Sequence, residues 1–286
     1  MSCQIRRICK IVVSLRDILN VPMREGSEFD QIITHANRIG NLVQETHIAG
    51  LSIHSDELEK KIYSSTDHPN ESWYPFLTSM VLGAYRIFLL PDNNADVRRQ
   101  AIRTLKFLDA DILLLITKCT RIQHWKVPAS YVIIRDHISL TGANPLSGPN
   151  DHRIGPRYPN MIRPYNKAWS DKIINTAQCE GVDVQNSVYG CLNEDVIPTE
   201  VRELTDVGID VIGHEIGDDV ILANHCGLPV TAFGYVSSTL QPGKKTELSI
   251  HLDSSGTQQD FIGRLLCRIF DSDKKGGGCQ DRNGNQ

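Results

Sequence analysis

Residues 134–161 read IRDHISLTGANPLSGPNDHRIGPRYPNM. An apolar start gives way, between Leu140 and Pro164, to a long stretch in which prolines and glycines recur among polar residues. A loop of this length inside a compact domain is usually functional or lies at an interface. The stretch therefore predicts an ordered loop that interrupts a regular fold.

Short apolar runs lie on both sides of this loop. They are Met80–Leu90, Asp111–Thr117, Val132–Ile134, Val207–Gly213 and Leu228–Val236. Segments with helical character lie among them, at Val97–Phe107, Thr199–Leu204, Asp218–His225 and Gln258–Phe270. Strands alternating with helices indicate a sheet covered on both faces, so the pattern predicts a single α/β domain over 1–270. Residues 271–286 are polar and glycine-rich, which predicts a disordered tail.

Charge, cysteine spacing and apolar run length exclude some binding partners and indicate a cellular compartment. The net charge of −4 disfavours a nucleic-acid surface or an acidic membrane. The eight cysteines form no CxxC pair and have no zinc spacing, so we expect reduced thiols and a cytoplasmic protein without a metal. No stretch approaches the ~20 apolar residues of a membrane span. Residues 5–20 predict an amphipathic helix, and their apolar run is too short for a signal-peptide core.

Two blocks of the chain resemble one enzyme family. IRDHISL (134–140), NPLSGPND (144–151) and RYPNM (157–161) are similar to IRDHINL, NPLxGPND and RFPxM of trimeric purine nucleoside phosphorylases and methylthioadenosine phosphorylases. TEVREL (199–204), GIDVIG (208–213) and ANHCGL (223–228) match a second family block at equal spacing. The resemblance implies a mixed central β-sheet flanked by helices and a homotrimer. It also implies phosphorolysis of purine nucleosides to free base and ribose 1-phosphate, with phosphate as co-substrate and no resident cofactor.

The phosphate-binding residues of that family are mostly replaced. Its GSGLGG loop, which follows the first strand, aligns with His35–Gly40 and loses the serine and most glycines. Arg86 keeps the arginine of the GRFH motif and is a candidate phosphate ligand. Lys118 and Arg121 fall in the glycine turn TNAAGG, where their charge could compensate for the lost turn. Glu215 replaces the phosphate-binding serine of the GMS segment, and a carboxylate there repels phosphate.

The base-binding residues are replaced as well. The family's purine-binding glutamate aligns with Val196, and Glu194 and Asp195 directly precede it. The catalytic asparagine aligns with Ser238, which cannot span two atoms of a base edge. No single residue is assigned as catalytic; the candidates are Glu194, Asp195, His214 and Ser238. The resemblance places Tyr158, His214 and Glu215 at the ribose and base cleft, with Tyr158 covering the ribose of a neighbouring subunit.

Other polar residues have structural interpretations. Arg98, Arg99 and Arg103 are expected on the solvated face of a helix, and His137 is expected to be a satisfied structural histidine. His225 and Cys226 are expected to pack at a helix end before a strand.

Three hypotheses about function remain open. The first is a degenerate family member with little phosphorolysis that acts through its assembly or a bound small molecule. The second is an active phosphorylase or nucleosidase of altered specificity in purine metabolism. The third is a regulatory subunit in a hetero-oligomer with an active paralogue.

Overall fold

The computed structural model describes residues 29–30, 32–33, 36–37, 47–54, 78–82, 84–90, 95–122, 129–193, 201–214, 216–241, 244–247 and 257–271. The strands within them are β1 His47–His54, β2 Thr78–Leu82, β3 Tyr85–Leu89, β4 Ile112–Ile122, β5 Tyr131–Ser139, β6 Val184–Cys191, β7 Val211–Gly213, β8 Val230–Gln241 and β9 Lys244–Glu247. The helices are α1 Ala95–Phe107, α2 Lys167–Gln178, α3 Val201–Asp206, α4 Ile216–Cys226 and α5 Thr257–Asp271. The predicted helix over 5–20 and residues 272–286 of the predicted tail lie outside the described residues.

All nine of these strands belong to one mixed sheet. Their order is β2-β3-β1-β4-β7-β6-β5-β8-β9, and β4 also pairs with β8. Because β4 pairs with both β7 and β8, the strands β4, β7, β6, β5 and β8 form a closed circuit of hydrogen-bonded neighbours. The predicted α/β class and mixed, helix-flanked sheet are confirmed.

The central strand β4 explains why the sheet is covered on both faces. Its apolar run puts alternate side chains on opposite faces, since strand side chains alternate. Leu113 and Leu115 pack in the cluster that contains α1 and α4 residues. Leu114 and Ile116 pack in the cluster that contains α2 and α5 residues. An uninterrupted apolar strand is therefore what this two-sided burial requires.

Two helix boundaries follow from local chemistry. Asn166 caps α2, because its side-chain oxygen accepts a hydrogen bond from the backbone N–H of Trp169 at 3.1 Å. Gly208, with φ of +86°, follows the short helix α3 and turns the chain toward β7. The strand predicted over 207–213 therefore begins only at Val211, and Val207 lies in the turn.

The expectation of a solvated arginine face on α1 is wrong for two of its three members. Arg98 and Arg103 are 8% and 6% exposed, whereas Arg99 is half-buried and pairs with Asp96 at 2.8 Å. α1 packs against α4 as well as the sheet, so its buried stripe is wider than the apolar pattern suggests. His225 and Cys226 do lie at the end of α4, shortly before β8, as expected.

The long loop is ordered by its own polar side chains. Arg157 donates from Nη1 to the carbonyl oxygens of Leu146 at 2.9 Å and Gly148 at 2.8 Å. The loop is also fixed to the end of α4, because Asn224 donates to the carbonyl of Pro164 at 3.0 Å. Hydrogen bonds of this kind hold a proline-rich segment in one conformation without regular secondary structure.

Candidate active site

Several strands end at one level of the sheet. β1 ends where His54 is in register with Thr117 of β4, and β7 runs antiparallel to β4 so that Gly213 approaches the carbonyl of Lys118. β6 runs parallel to β7 and places Cys191 beside Gly213. Because β1 and β7 run in opposite directions, their carboxyl ends approach each other at this level of β4. We call Thr117, Lys118, Cys191, His214 and Asp218 the carboxyl-end cluster.

Gly213 is required by the close packing at this level. A Cβ on Gly213 would meet the hydroxyl of Tyr189 and lie 3.2 Å from the carbonyl oxygen of Lys118. Close packing therefore explains why the second block has a glycine at position 213. The next residue, His214, is exposed and donates from Nδ1 to the carbonyl of Leu192 at 2.9 Å.

The start of α4 closes the cluster. Gly217 lies so close to Cys191 that an added Cβ would be 2.6 Å from its sulfur. Burial, and then the charge of Asp218, raise the pKa of the Cys191 thiol to about 12, so the thiol is protonated at neutral pH. Burial and the neighbouring Asp219 also raise the pKa of Asp218.

His137 lies behind this cluster and is satisfied, as expected. Its Nδ1 shares a hydrogen bond with the hydroxyl of Tyr165 at 3.2 Å. Burial lowers the pKa of His137, although the charge of Asp136 opposes that shift. The imidazole is therefore a neutral structural group near neutral pH.

The candidate phosphate ligands do not lie together. Arg86 is buried within β3 and is in register with Ile48, near the start of β1. Lys118 is exposed and follows Thr117, which is in register with the end of β1. The two levels are six residue steps apart along β1, from Ile48 to His54, which is about 20 Å at ~3.3 Å per residue. Arg86 and Lys118 cannot both contact one phosphate in this fold.

Residues 117–122, which align with the family's glycine turn, continue β4 as a strand, and the pairing of β4 with β8 shifts in register between Cys119 and Thr120. Arg121, within it, donates to the carbonyl of Ala129, and burial lowers its pKa. The Arg121 guanidinium group is therefore already hydrogen-bonded within the chain. Ser238 is 7% exposed and shares a 2.6 Å hydrogen bond with Thr120 Oγ1, so this candidate hydroxyl is also engaged.

The alignment of the glycine loop with 35–40 is corrected by the position of β1. Ala36 and Asn37 are helical, and Ala36 is buried in the core. The first described strand, β1, begins only at His47, so the segment that leaves it begins at residue 55. Glu194, Asp195 and Glu215 lie outside the described residues, and their roles stay predictions.

The side chain of Tyr158 is exposed to solvent in the single chain. Its side chain is 86% exposed, and Ile162 beside it is 83% exposed. This exposure leaves the Tyr158 ring available to contact another subunit. This position agrees with the neighbouring-subunit role that the resemblance implies, which stays a prediction.

Buried charges that sequence reasoning missed lie behind the cluster. Arg98 of α1 forms a buried ion pair with Asp219 of α4 and also contacts Ser52 of β1. No signal in the sequence links positions so far apart. Within the described ranges, no group of His, Cys, Asp or Glu side chains is arranged to hold a metal, and no helix has the length and hydropathy of a membrane span.

Comparison with known proteins identifies a family. Residues 64–271 match the phosphorylase superfamily. The chain is 31% identical over 139 residues to purine nucleoside phosphorylase 1 of Bacillus subtilis, covering 48% of this chain and 51% of that protein. It is 31% identical over 144 residues to the purine nucleoside phosphorylase of Bos taurus, covering 48% and 50%. The chain thus spans about half the length of the relatives it matches.

Solved structures share the fold over a longer range. The Schistosoma purine nucleoside phosphorylase in complex with hypoxanthine superposes with a TM-score of 0.69 at 21% identity, covering 88% of this chain and all of that one. The Schistosoma mansoni enzyme in complex with adenosine gives a TM-score of 0.69 at 22% identity, covering 86% and 98%. The resemblance to purine nucleoside phosphorylases is confirmed at the level of family and fold.

Proposed function

Because the chain belongs to the phosphorylase superfamily, we propose that it keeps a nucleoside-binding cleft at the carboxyl-end cluster but carries out little or no phosphorolysis. The ligand class is carried over from the neighbours, whose structures hold hypoxanthine and adenosine. The proposal is that of a degenerate family member with a ligand-binding, scaffold or regulatory role.

The charge at the start of α4 is the observation that carries this proposal. A helix N-terminus favours an anion, but two carboxylates, Asp218 and Asp219, already lie in the first turn of α4. Arg98 is committed to Asp219, so it does not supply its charge to a ligand. A phosphate dianion placed beside an ionised Asp218 would be repelled, and solvent weakens the repulsion because Asp218 is exposed.

The second function, an active phosphorylase or nucleosidase of altered specificity, is favoured by a different observation. Asp218, whose pKa is raised, and His214 place a carboxyl group and an imidazole near the same level of the sheet. Lys118 is an exposed cation there. An acid that protonates a leaving base, with water as nucleophile, needs no site for phosphate.

Assembly and location belong to the same proposal. We place the protein in a homotrimer, because Tyr158 and Ile162 are exposed on the ordered loop. A hetero-oligomer with an active paralogue would use the same loop. Cys191 and Cys226 are buried and form no disulfide, which favours a reducing compartment, and we place the protein in the cytoplasm.

The test is cleavage of inosine, guanosine and adenosine with and without phosphate. We expect no phosphate-dependent turnover, and nucleoside binding detectable by calorimetry. Turnover in the ordinary enzyme range of roughly 1–10³ per second with phosphate would overturn the proposal. Cleavage that is independent of phosphate would establish the nucleosidase instead.

A matched pair of variants tests the charge argument. Asp218→Asn removes the carboxylate at the start of α4, so we expect tighter binding of inorganic phosphate than in the wild type. Glu203→Gln removes an exposed carboxylate on α3 and should leave phosphate binding unchanged. Equal effects of the two substitutions would mean that only net charge matters.

A further inference from the structure

Three polar side chains from separate elements meet beneath the carboxyl-end cluster. Arg98 of α1, Asp219 of α4 and Ser52 of β1 are 8%, 3% and 0% exposed. Arg98 donates from Nε to Asp219 Oδ1 at 3.2 Å, and from Nη2 to Asp219 Oδ2. The same Nη2 donates to Ser52 Oγ at 2.9 Å. One guanidinium group thus joins a strand, a helix start and the helix that carries it.

Ser52 and Asp219, the two acceptors of Arg98, lie at element ends that border the carboxyl-end cluster. Ser52 lies two residues before the end of β1, and Asp219 lies in the first turn of α4. These are the places where the chain enters or leaves the level of the carboxyl-end cluster. A shift of α4 relative to β1 would break bonds to Arg98, and it would also move Asp218 and His214.

The geometry of the group is suited to fixing a position. A planar guanidinium that binds both oxygens of one carboxylate restrains orientation as well as distance. Burying both charges is costly unless their hydrogen bonds are made, so the pair is weak evidence for stability alone. A packed apolar pair would fill the same volume without restraining the direction of α4.

We propose that Arg98 is a positioning residue for the ligand site: it holds the start of α4 against the end of β1 and so places Asp218 and His214 for a ligand. Arg98 acts through α4 and does not contact the ligand. This inference rests on the proposed function, because a ligand at this level is what the arrangement serves.

Two other roles predict different outcomes for the same variants. If Arg98 only neutralises Asp219, a lysine at position 98 should serve as well. If Arg98 only contributes to overall stability, its loss should loosen the whole domain equally. A positioning role requires the fork-shaped group, since lysine presents a point charge that cannot bind two oxygens and Ser52 in one plane.

Hydrogen exchange measured on Arg98→Lys, Arg98→Met and the control Arg99→Met separates these roles. Arg99 is the neighbouring residue, half-buried and paired with Asp96 within α1. In both Arg98 variants we expect the amides of Val220 and Ile221 to exchange about tenfold faster than in the wild type. The amides of α2 should keep wild-type rates in all three variants.

Wild-type protection of α4 in Arg98→Lys would overturn the inference, and so would an equal loss of protection in α2 and α4. If Arg98→Met does not fold, Ser52→Ala takes its place. That variant keeps the ion pair and removes the bond to β1, so we expect a smaller increase confined to the same amides. No increase there would count against the inference.

A calorimetric titration with inosine links the arrangement to the ligand. We expect Arg98→Lys to bind inosine about tenfold more weakly than the wild type, and Arg99→Met to bind it equally well. Equal affinity of Arg98→Lys and wild type would overturn the positioning role. If the wild type binds no inosine, the proposed function fails, and the exchange experiment still decides whether Arg98 fixes α4.

Discussion

At the scale of single residues, several polar groups are held by the fold. Ser238 is bonded to Thr120, and Arg121 to the carbonyl of Ala129. The family resemblance puts these positions at the reactive centre. Both side chains are engaged within the chain, so a residue type alone does not define a ligand contact.

Gly213 allows a direct test of packing at the site. Gly213→Ala would force its Cβ into the Tyr189 hydroxyl, and overpacking of this kind costs about 1–3 kcal/mol. We expect a lower midpoint of urea unfolding for this variant.

The matched control is Gly263→Ala, in α5, where an added Cβ meets nothing within 4 Å. Alanine is the better helix former, by about 1 kcal/mol, so this variant should be more stable than the wild type. If both variants shift the midpoint in the same direction, crowding at Gly213 is not the cause.

Helices and strands with strong local patterns were predictable from sequence. α1, α4 and α5 follow their periodicity, and β4 follows its apolar run, because each pattern is set by neighbours in the chain. β1, with the sequence HIAGLSIH, includes two histidines and a serine and gives no such signal. β6, VQNSVYGC, mixes polar and apolar residues in the same way. β1 and β6 are strands because they pair with other strands, and a local sequence pattern cannot reveal that pairing.

The site was less predictable than the fold, for the same reason. His214 and Lys118 were found through the resemblance, and the structure places both at the carboxyl-end cluster. The Arg98–Asp219 pair spans 121 positions, and Arg98 resembles any surface arginine in sequence. The family's glycine loop follows the first strand. Sequence alone does not locate β1, so the alignment with residues 35–40 falls before that strand.

At the scale of elements, α5 is fixed to the end of α2 by a carboxylate between two arginines. The side chain of Glu180 is 8% exposed, and its oxygens lie 3.1 Å from Arg264 Nε and 3.0 Å from Arg268 Nε. Both arginines are more than half exposed, which weakens the pair by solvent screening. The two ion pairs reinforce the apolar face that α5 buries against the sheet.

Glu180→Gln should therefore loosen α5 more than it destabilises the domain. We expect a loss of about 1 kcal/mol in the free energy of unfolding and faster hydrogen exchange along α5. Added salt should reduce the difference from the wild type, because the arginines are exposed. Glu203→Gln on α3 is the control; an equal loss of protection in α5 there would contradict a local role for Glu180.

At the scale of the whole molecule, the long loop exposes apolar side chains that no described part of the single chain covers. Leu140, Tyr158 and Ile162 are 47%, 86% and 83% exposed, although hydrogen bonds from Arg157 order the loop that carries them. Exposed apolar side chains on an ordered segment are available to contact another subunit. The loop is also fixed to the end of α4, since His225 Nε2 donates to Asn150 Oδ1 at 3.1 Å. The helix that starts at the carboxyl-end cluster thus ends at this surface.

We expect the protein to be a trimer whose interface includes Tyr158 and Ile162. Light scattering on the wild type should give three times the mass of one chain, and Tyr158→Ser combined with Ile162→Ser should shift it to the monomer mass. Both changes remove apolar area from a subunit contact, at roughly 25 cal/mol per Å². Val207→Ser removes a 58% exposed apolar side chain from the turn after α3 and should leave the trimer intact. A monomeric wild type would remove the assembly from the proposal, and a trimer that survives the double substitution would place the interface elsewhere on the surface.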